Sequence, residues 1–238
     1  MRFSLMHSST RATSVVLVHG LAVSSRYMVP TALHLAPFYD VYLPDLPGFG
    51  KSANPSSVLS IPALADALAD WMQVIGLPPS VLLGNSLGCQ IIIHLALHHS
   101  QLLTHAVLVS PTMDPQTRNI CPAALRLARD LPEEPWSFLP VLAREYFDAG
   151  FGRTLRTLHF AFADHMEEHI SSIQIPTLIV RGSRDPLVGQ EWVEELHRLL
   201  PTSQLLVVQG AGHAVNFNSP EKLAYAVRSF LSCGRADP

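Results

Sequence analysis

Short apolar runs alternate with amphipathic stretches along most of the chain. Val15-Val16-Leu17-Val18 is an unbroken β-branched and apolar run, the pattern of a strand buried on both faces. It ends in the small-residue loop His19-Gly20-Leu21-Ala22-Val23-Ser24-Ser25, before a predicted helix over 26–35. A short strand over 41–43 leads into the turn-rich Pro44-Asp45-Leu46-Pro47-Gly48-Phe49-Gly50-Lys51-Ser52. Ile61, Leu64, Ala65, Leu68, Trp71, Met72 and Ile75 recur at helical spacing, and Gly76 with Pro78-Pro79 stops that helix. Further strands are predicted over 81–83, 106–109, 177–180 and 205–208. Further helices are predicted from 86, over 192–200 and over 220–231. Strands alternating with helices imply a mostly parallel sheet with helices on both faces.

Between 112 and 172 the rhythm breaks. No strand is predicted, prolines recur at Pro115, Pro122, Pro132, Pro135 and Pro140, and helical segments can be drawn over 122–130, 137–149 and 152–170. The expected organisation is therefore a core domain, 1–111 with 173–238, carrying a helical cap insertion over 112–172 above the sheet. Apolar residues of the insertion, among them Leu131, Trp136, Tyr146, Phe147, Phe151 and Phe160, either line a pocket or pack the insertion onto the body.

Composition narrows the class. A chain of 238 residues, 48% hydrophobic and 15% charged, can build one sizeable core. A net charge of −3 argues against a nucleic-acid partner. Three scattered cysteines, Cys89, Cys121 and Cys233, fit a reducing compartment better than a disulfide framework. Residues 1–11 lack the apolar stretch of a signal peptide, and no apolar run is long enough to span a membrane. The expectation is a soluble, cytoplasmic protein acting on a small molecule, with its oligomeric state open.

The chemistry centres on Gly84-Asn85-Ser86-Leu87-Gly88, which matches Gly-x-Ser-x-Gly between a predicted strand and a predicted helix. In that context the serine sits on a tight turn with its hydroxyl above the sheet. A serine hydroxyl needs a base, and the base needs a partner to fix its tautomer. Ser86, Asp185 and His213 follow three separate predicted strands, and in a parallel sheet such strand ends share one edge. Of the 12 histidines, His213 directly follows a strand within a Gly-rich loop, Gly210-Ala211-Gly212. His94, His98 and His99 are read as surface or packing residues and His19 as a structural hydrogen-bonder. Asp114 is the reserve acid, and Asp45 is read as a turn former. The oxyanion donors are expected to be the amides of Leu87 and Leu21, with Ala22 in reserve.

These motifs resemble those of α/β-hydrolase-fold serine hydrolases. The matching features are Val15 to Gly20, Pro44 to Ser52, the Ser86 elbow, Gly182-Ser183-Arg184-Asp185 and Gly210-Ala211-Gly212-His213. The resemblance implies a Ser86–His213–Asp185 triad, a covalent acyl-enzyme and no cofactor. Members of this family usually carry a strand hairpin before the His-Gly strand. Only about 14 residues precede it here, so the sheet is expected to have fewer than eight strands and an altered edge. Gly84 to Gly88 is also similar to the elbow of carbon–carbon bond hydrolases of ring-fission products. That group tends to have glycine and tryptophan where Cys89 and Ala214 stand. The preferred reading is hydrolysis of a small, largely apolar carboxylic ester. The alternatives are carbon–carbon cleavage of a vinylogous diketone, or a non-turnover ligand-binding module. Arg153 and Arg156 are read as a solvated helix face, with an acidic substrate as the other possibility. His165-Met166-Glu167-Glu168-His169 fits an inverted zinc-protease pattern, but its polar surroundings favour a chance match.

Overall fold

The computed structural model describes residues 1–6, 13–115 and 138–233. In chain order the elements are β1 (Arg2–Met6), β2 (Ser14–Val18), α1 (Val29–Leu35), β3 (Asp40–Asp45), α2 (Ile61–Val74), β4 (Ser80–Asn85), α3 (Leu87–His98) and β5 (Leu103–Val109). After them come α4 (Phe138–Ala149), α5 (Phe151–Ala163), β6 (Thr177–Gly182), α6 (Gln190–Leu199), β7 (Ser203–Val208), α7 (Val215–Asn218) and α8 (Pro220–Cys233). The expected helix over 122–130 lies outside the described residues, as do Leu131 and Trp136.

The strands form one seven-stranded sheet in the order β1-β3-β2-β4-β5-β6-β7. All neighbours pair in parallel except β1, which runs antiparallel on β3 from Arg2↔Asp45 to Met6↔Val41. Among the described residues the sheet has seven strands, and its β1 edge is a single antiparallel strand. The edge strand itself was not predicted, although Phe3 and Leu5 alternate with polar residues at strand period. Phe3 earns its place by an edge contact with Trp71, 5.3 Å between ring centroids.

The central strands are apolar on successive residues because both faces are covered. Val16, Val18 and Leu82 pack under α2, α3 and α6, whereas Val15, Leu17, Val81 and Leu83 pack under α1 and α8. Burying an aliphatic side chain on either face contributes about 1.5–3 kcal/mol, so a polar residue there is costly. This fixes the strands rigidly, and their C-terminal ends carry the loops that begin at His19, Ser86, Ser183 and Gln209.

The segment after β5 holds α4 and α5 and then short 3-10 turns at Met166–Glu168 and Ile170–Ser172, and its described residues contain no strand. The single helix expected over 152–170 ends at Ala163. Asp164 turns extended (φ −86°, ψ 121°), because its carboxylate is taken by the body. Gln90 Nε2 donates to Oδ2 at 2.7 Å, and His94 Nε2 lies 2.6 Å from Oδ1. His94 is therefore the packing residue expected, with a defined partner.

Candidate active site

Ser86 occupies the turn between β4 and α3 with φ 55° and ψ −118°. A side-chain-bearing residue at positive φ costs on the order of 1–3 kcal/mol, and here close packing enforces it. The Ser86 amide donates to the Val109 carbonyl at 2.9 Å, and the Cys89 amide returns to the Ser86 carbonyl at 2.9 Å. A Cβ on Gly84 would come within 2.6 Å of the Gly88 backbone, and one on Gly88 would meet the Val18 carbonyl. The two glycines let α3 start directly against β4 and β2. Below the turn, Cys89 is fully buried, its thiol donating toward Gly84 and Val109 carbonyls at 3.3 Å.

Asp185 follows β6 and is buried with its carboxylate fully engaged. Oδ1 accepts from the amides of Leu187 and Val188 at 2.9 and 3.0 Å, and Oδ2 faces His213 Nδ1 at 3.0 Å. Burial by itself pushes this carboxyl up. The charge of His213 and the hydrogen bonds from His213 and Val188 outweigh that, so its pKa lies below the usual carboxylate value. An ionised Asp185 requires the proton on Nδ1 of His213, which leaves the lone pair on Nε2. Arg181 reinforces the loop, donating to the carbonyls of Val188 at 2.6 Å and Asp185 at 3.0 Å.

The histidine loop is held to the elbow by Asn85. Its Nδ2 donates to the carbonyls of Val109 and His213, each at 3.4 Å. Sequence reasoning quoted Asn85 within the motif but assigned it no part. Its place next to the nucleophile was the available signal.

The loop after β2 closes the other side. A Cβ on Gly20 would lie 3.4 Å from the Ser86 Cβ, which brings Leu21 beside the elbow. Leu87 is the first residue of α3, where helical amides lack internal acceptors. Among the described residues, the N–H groups of Leu21 and Leu87 have no hydrogen-bond partner. His19 is the structural bonder expected. Its Nδ1 reaches the Gly20 carbonyl at 2.9 Å and its Nε2 accepts from the Leu46 amide at 3.0 Å. Burial lowers its pKa, and the neutral Nδ1–H tautomer satisfies both contacts. Asp45 accepts from the amides of Ser25 and Lys51, both at 2.8 Å. It ties the β2 loop to the β3 loop as well as forming a turn.

The zinc-like motif does not form as read. Met166–Glu168 is a 3-10 turn, so the two histidines do not share an α-helical face. His165, Glu167 and Glu168 do cluster, with potential ligand atoms within 4.8 Å of one another, but His165 and Glu168 are exposed and His169 is outside the group.

Among the described residues no helix is long and apolar enough to cross a membrane. The putative carbamate hydrolase RutD of Escherichia coli O157:H7 is 29% identical over 236 residues, 88% of each chain. An esterase from Thermogutta terrifontis superposes with a TM-score of 0.82 at 23% identity, covering 98% of this chain and 93% of its own. The meta-cleavage product hydrolase CumD of Pseudomonas fluorescens gives 0.77 at 19% identity, with 98% and 94% covered. At these identities the structural likeness is one of fold. The model of the alpha/beta hydrolase family matches residues 15–227, and the chain belongs to that family.

Proposed function

We propose that this hydrolase is a serine esterase that cleaves carboxylic esters of small, largely apolar substrates through an acyl-enzyme. Ser86 Oγ attacks the ester carbonyl while its proton passes to His213 Nε2. The amides of Leu87 and Leu21 hold the oxyanion. As the carbon–oxygen bond breaks, His213 returns the proton to the leaving alkoxide. A water deprotonated by His213 then releases the acid, and Asp185 holds the imidazole and balances its charge. The described helices α4 and α5 serve as part of a cap over this edge and carry pocket side chains.

The observation that supports this most is the 3.0 Å contact of His213 with a buried, ionised Asp185, on a loop that Asn85 ties to the Ser86 turn. A ligand-binding module has no use for such an arrangement. The test is intact mass after treatment with a fluorophosphonate. One adduct on wild type and none on Ser86→Ala is expected. No adduct on folded wild-type protein would overturn the reading and favour the binding module. Carbon–carbon hydrolysis would use the same three residues, and a paired screen of esters and vinylogous diketones separates the two.

A further inference from the structure

Arg153 does not sit on a solvated helix face. It lies in the first turn of α5, half-buried, whereas Arg156 is exposed. Its guanidinium rests against the loop after β3. Gly48 there has φ +87°, and a Cβ at that position would meet Nη1 of Arg153, with Cζ at 2.8 Å and Cδ at 3.1 Å. Only glycine both adopts this turn without strain and leaves room for the guanidinium.

Among the described residues this cation has no counter-charge. Arg26, Arg181 and Arg198 all find acceptors, but Arg153 has neither a hydrogen bond nor an ion pair among the described residues. The N-terminal end of a helix is itself positive, and α5 starts with no acidic residue in its first turn and no side-chain cap. A half-buried guanidinium with no acceptor among the described residues, beside a positive helix end, favours an anion.

The same face of α5 meets α3 past the elbow. Thr157, one turn along, is fully buried and its hydroxyl has no partner. Ala161, one turn further, accepts from Gln90 Nε2 at 3.1 Å, and Gln90 stands one turn beyond Ser86 on α3. The Gly48 loop is also close to the site. Phe49 meets the His19 ring edge-on at 5.6 Å, and Gly20 adjoins Ser86.

We propose that Arg153 is a specificity residue that binds a carboxylate at the end of the substrate remote from the scissile ester. The substrate class is then a half-ester of a dicarboxylic acid, with an apolar body between ester and acid. The proposal rests on the Ser86 reading for its catalytic consequence, though not for binding itself. A planar guanidinium suits a carboxylate because two parallel hydrogen bonds match its fork.

Binding is tested by calorimetry on Ser86→Ala protein, with monomethyl esters of succinic to suberic acid against the dimethyl esters. At the best chain length the half-ester is expected to bind roughly ten- to a hundredfold tighter, as for a charged hydrogen-bonded pair. Adding Arg153→Gln should abolish the preference, and Arg153→Lys should keep part of it. In the Ser86-containing protein, Arg153→Gln should raise KM for half-esters and leave diesters within about twofold. Equal or undetectable binding of both esters by Ser86→Ala protein overturns the proposal. So does an equal loss for both ester types in Arg153→Gln, which would make the arginine a packing residue. Fluorophosphonate labelling of Ser86 stands apart from these readouts, so failure of the nucleophile and failure of the anchor are distinguishable.

Discussion

Asn85 Nδ2 donates to the backbone carbonyl of His213 at 3.4 Å, a contact between residues 128 positions apart. Asn85 is fully buried and also reaches the Val109 carbonyl, so one amide joins the ends of β4 and β5 to the histidine loop. Asn85→Ala is expected to lower kcat by about three- to tenfold, the worth of a typical hydrogen bond, with little change in KM. Steady-state kinetics beside a thermal melt checks this. An unchanged kcat in a folded variant would remove the tether from the mechanism.

Asp185→Asn should cut kcat on the order of a thousandfold or more, because the amide favours the wrong imidazole tautomer. Stability gives a second readout. A carboxyl with a lowered folded pKa stabilises the fold fully above its unfolded value of about 3.8. That contribution is lost as pH falls through the folded value. Wild type should therefore lose Tm more steeply than Asp185→Asn on acidification below about pH 4, and parallel curves would contradict the shift.

Cys89 is a buried thiol whose pKa desolvation pushes far up, against the opposing pull of nearby backbone hydrogen bonds. The thiolate is the reactive form. Iodoacetamide at pH 8 should leave Cys89 unlabelled in the native state and modify it promptly in denaturant. Peptide mass mapping measures both. Rapid native labelling would mean that the base of the elbow opens.

Arg26 Nη1 lies 2.6 Å from Glu145 Oε1, and the Glu145 side chain is 2% exposed. The pair joins the turn at Ser25–Met28, just past the Leu21 loop, to α4. Removing the cation strands a buried carboxylate, which is more harmful than losing the pair's own attraction. Arg26→Met should destabilise by about 1–3 kcal/mol, and Arg26→Met with Glu145→Leu should recover much of it. Urea unfolding of the cycle tests this, and additive losses would show no coupling.

Much of the core was legible in the sequence because its signals are local. Val15 to Val18 must be a strand covered on both faces, since an unbroken apolar run leaves no face for water. Gly84 and Gly88 around Ser86 announce a strand-to-helix turn, because only missing side chains let a helix begin so close to two strands. The order of Ser86, Asp185 and His213 at strand ends is likewise readable, since a parallel sheet brings those ends to one edge.

Other features depended on partners distant in the chain. Arg2–Met6 lacks a continuous apolar run, and only β3 and Trp71 make it a strand. Asp164 ends α5 because Gln90 and His94 together hold its carboxylate, which no local propensity records. The sequence treats Arg153 and Arg156 alike, three positions apart on one helix. Packing against Gly48 withdraws the first from water and leaves the second exposed. The sequence alone pointed to the family, the parallel core of the sheet and the candidate residues, through periodicity and turn chemistry. Only the tertiary structure decided which polar groups find partners and that Arg153 is drawn out of water beside Gly48, because desolvation and pairing depend on the neighbours that folding supplies.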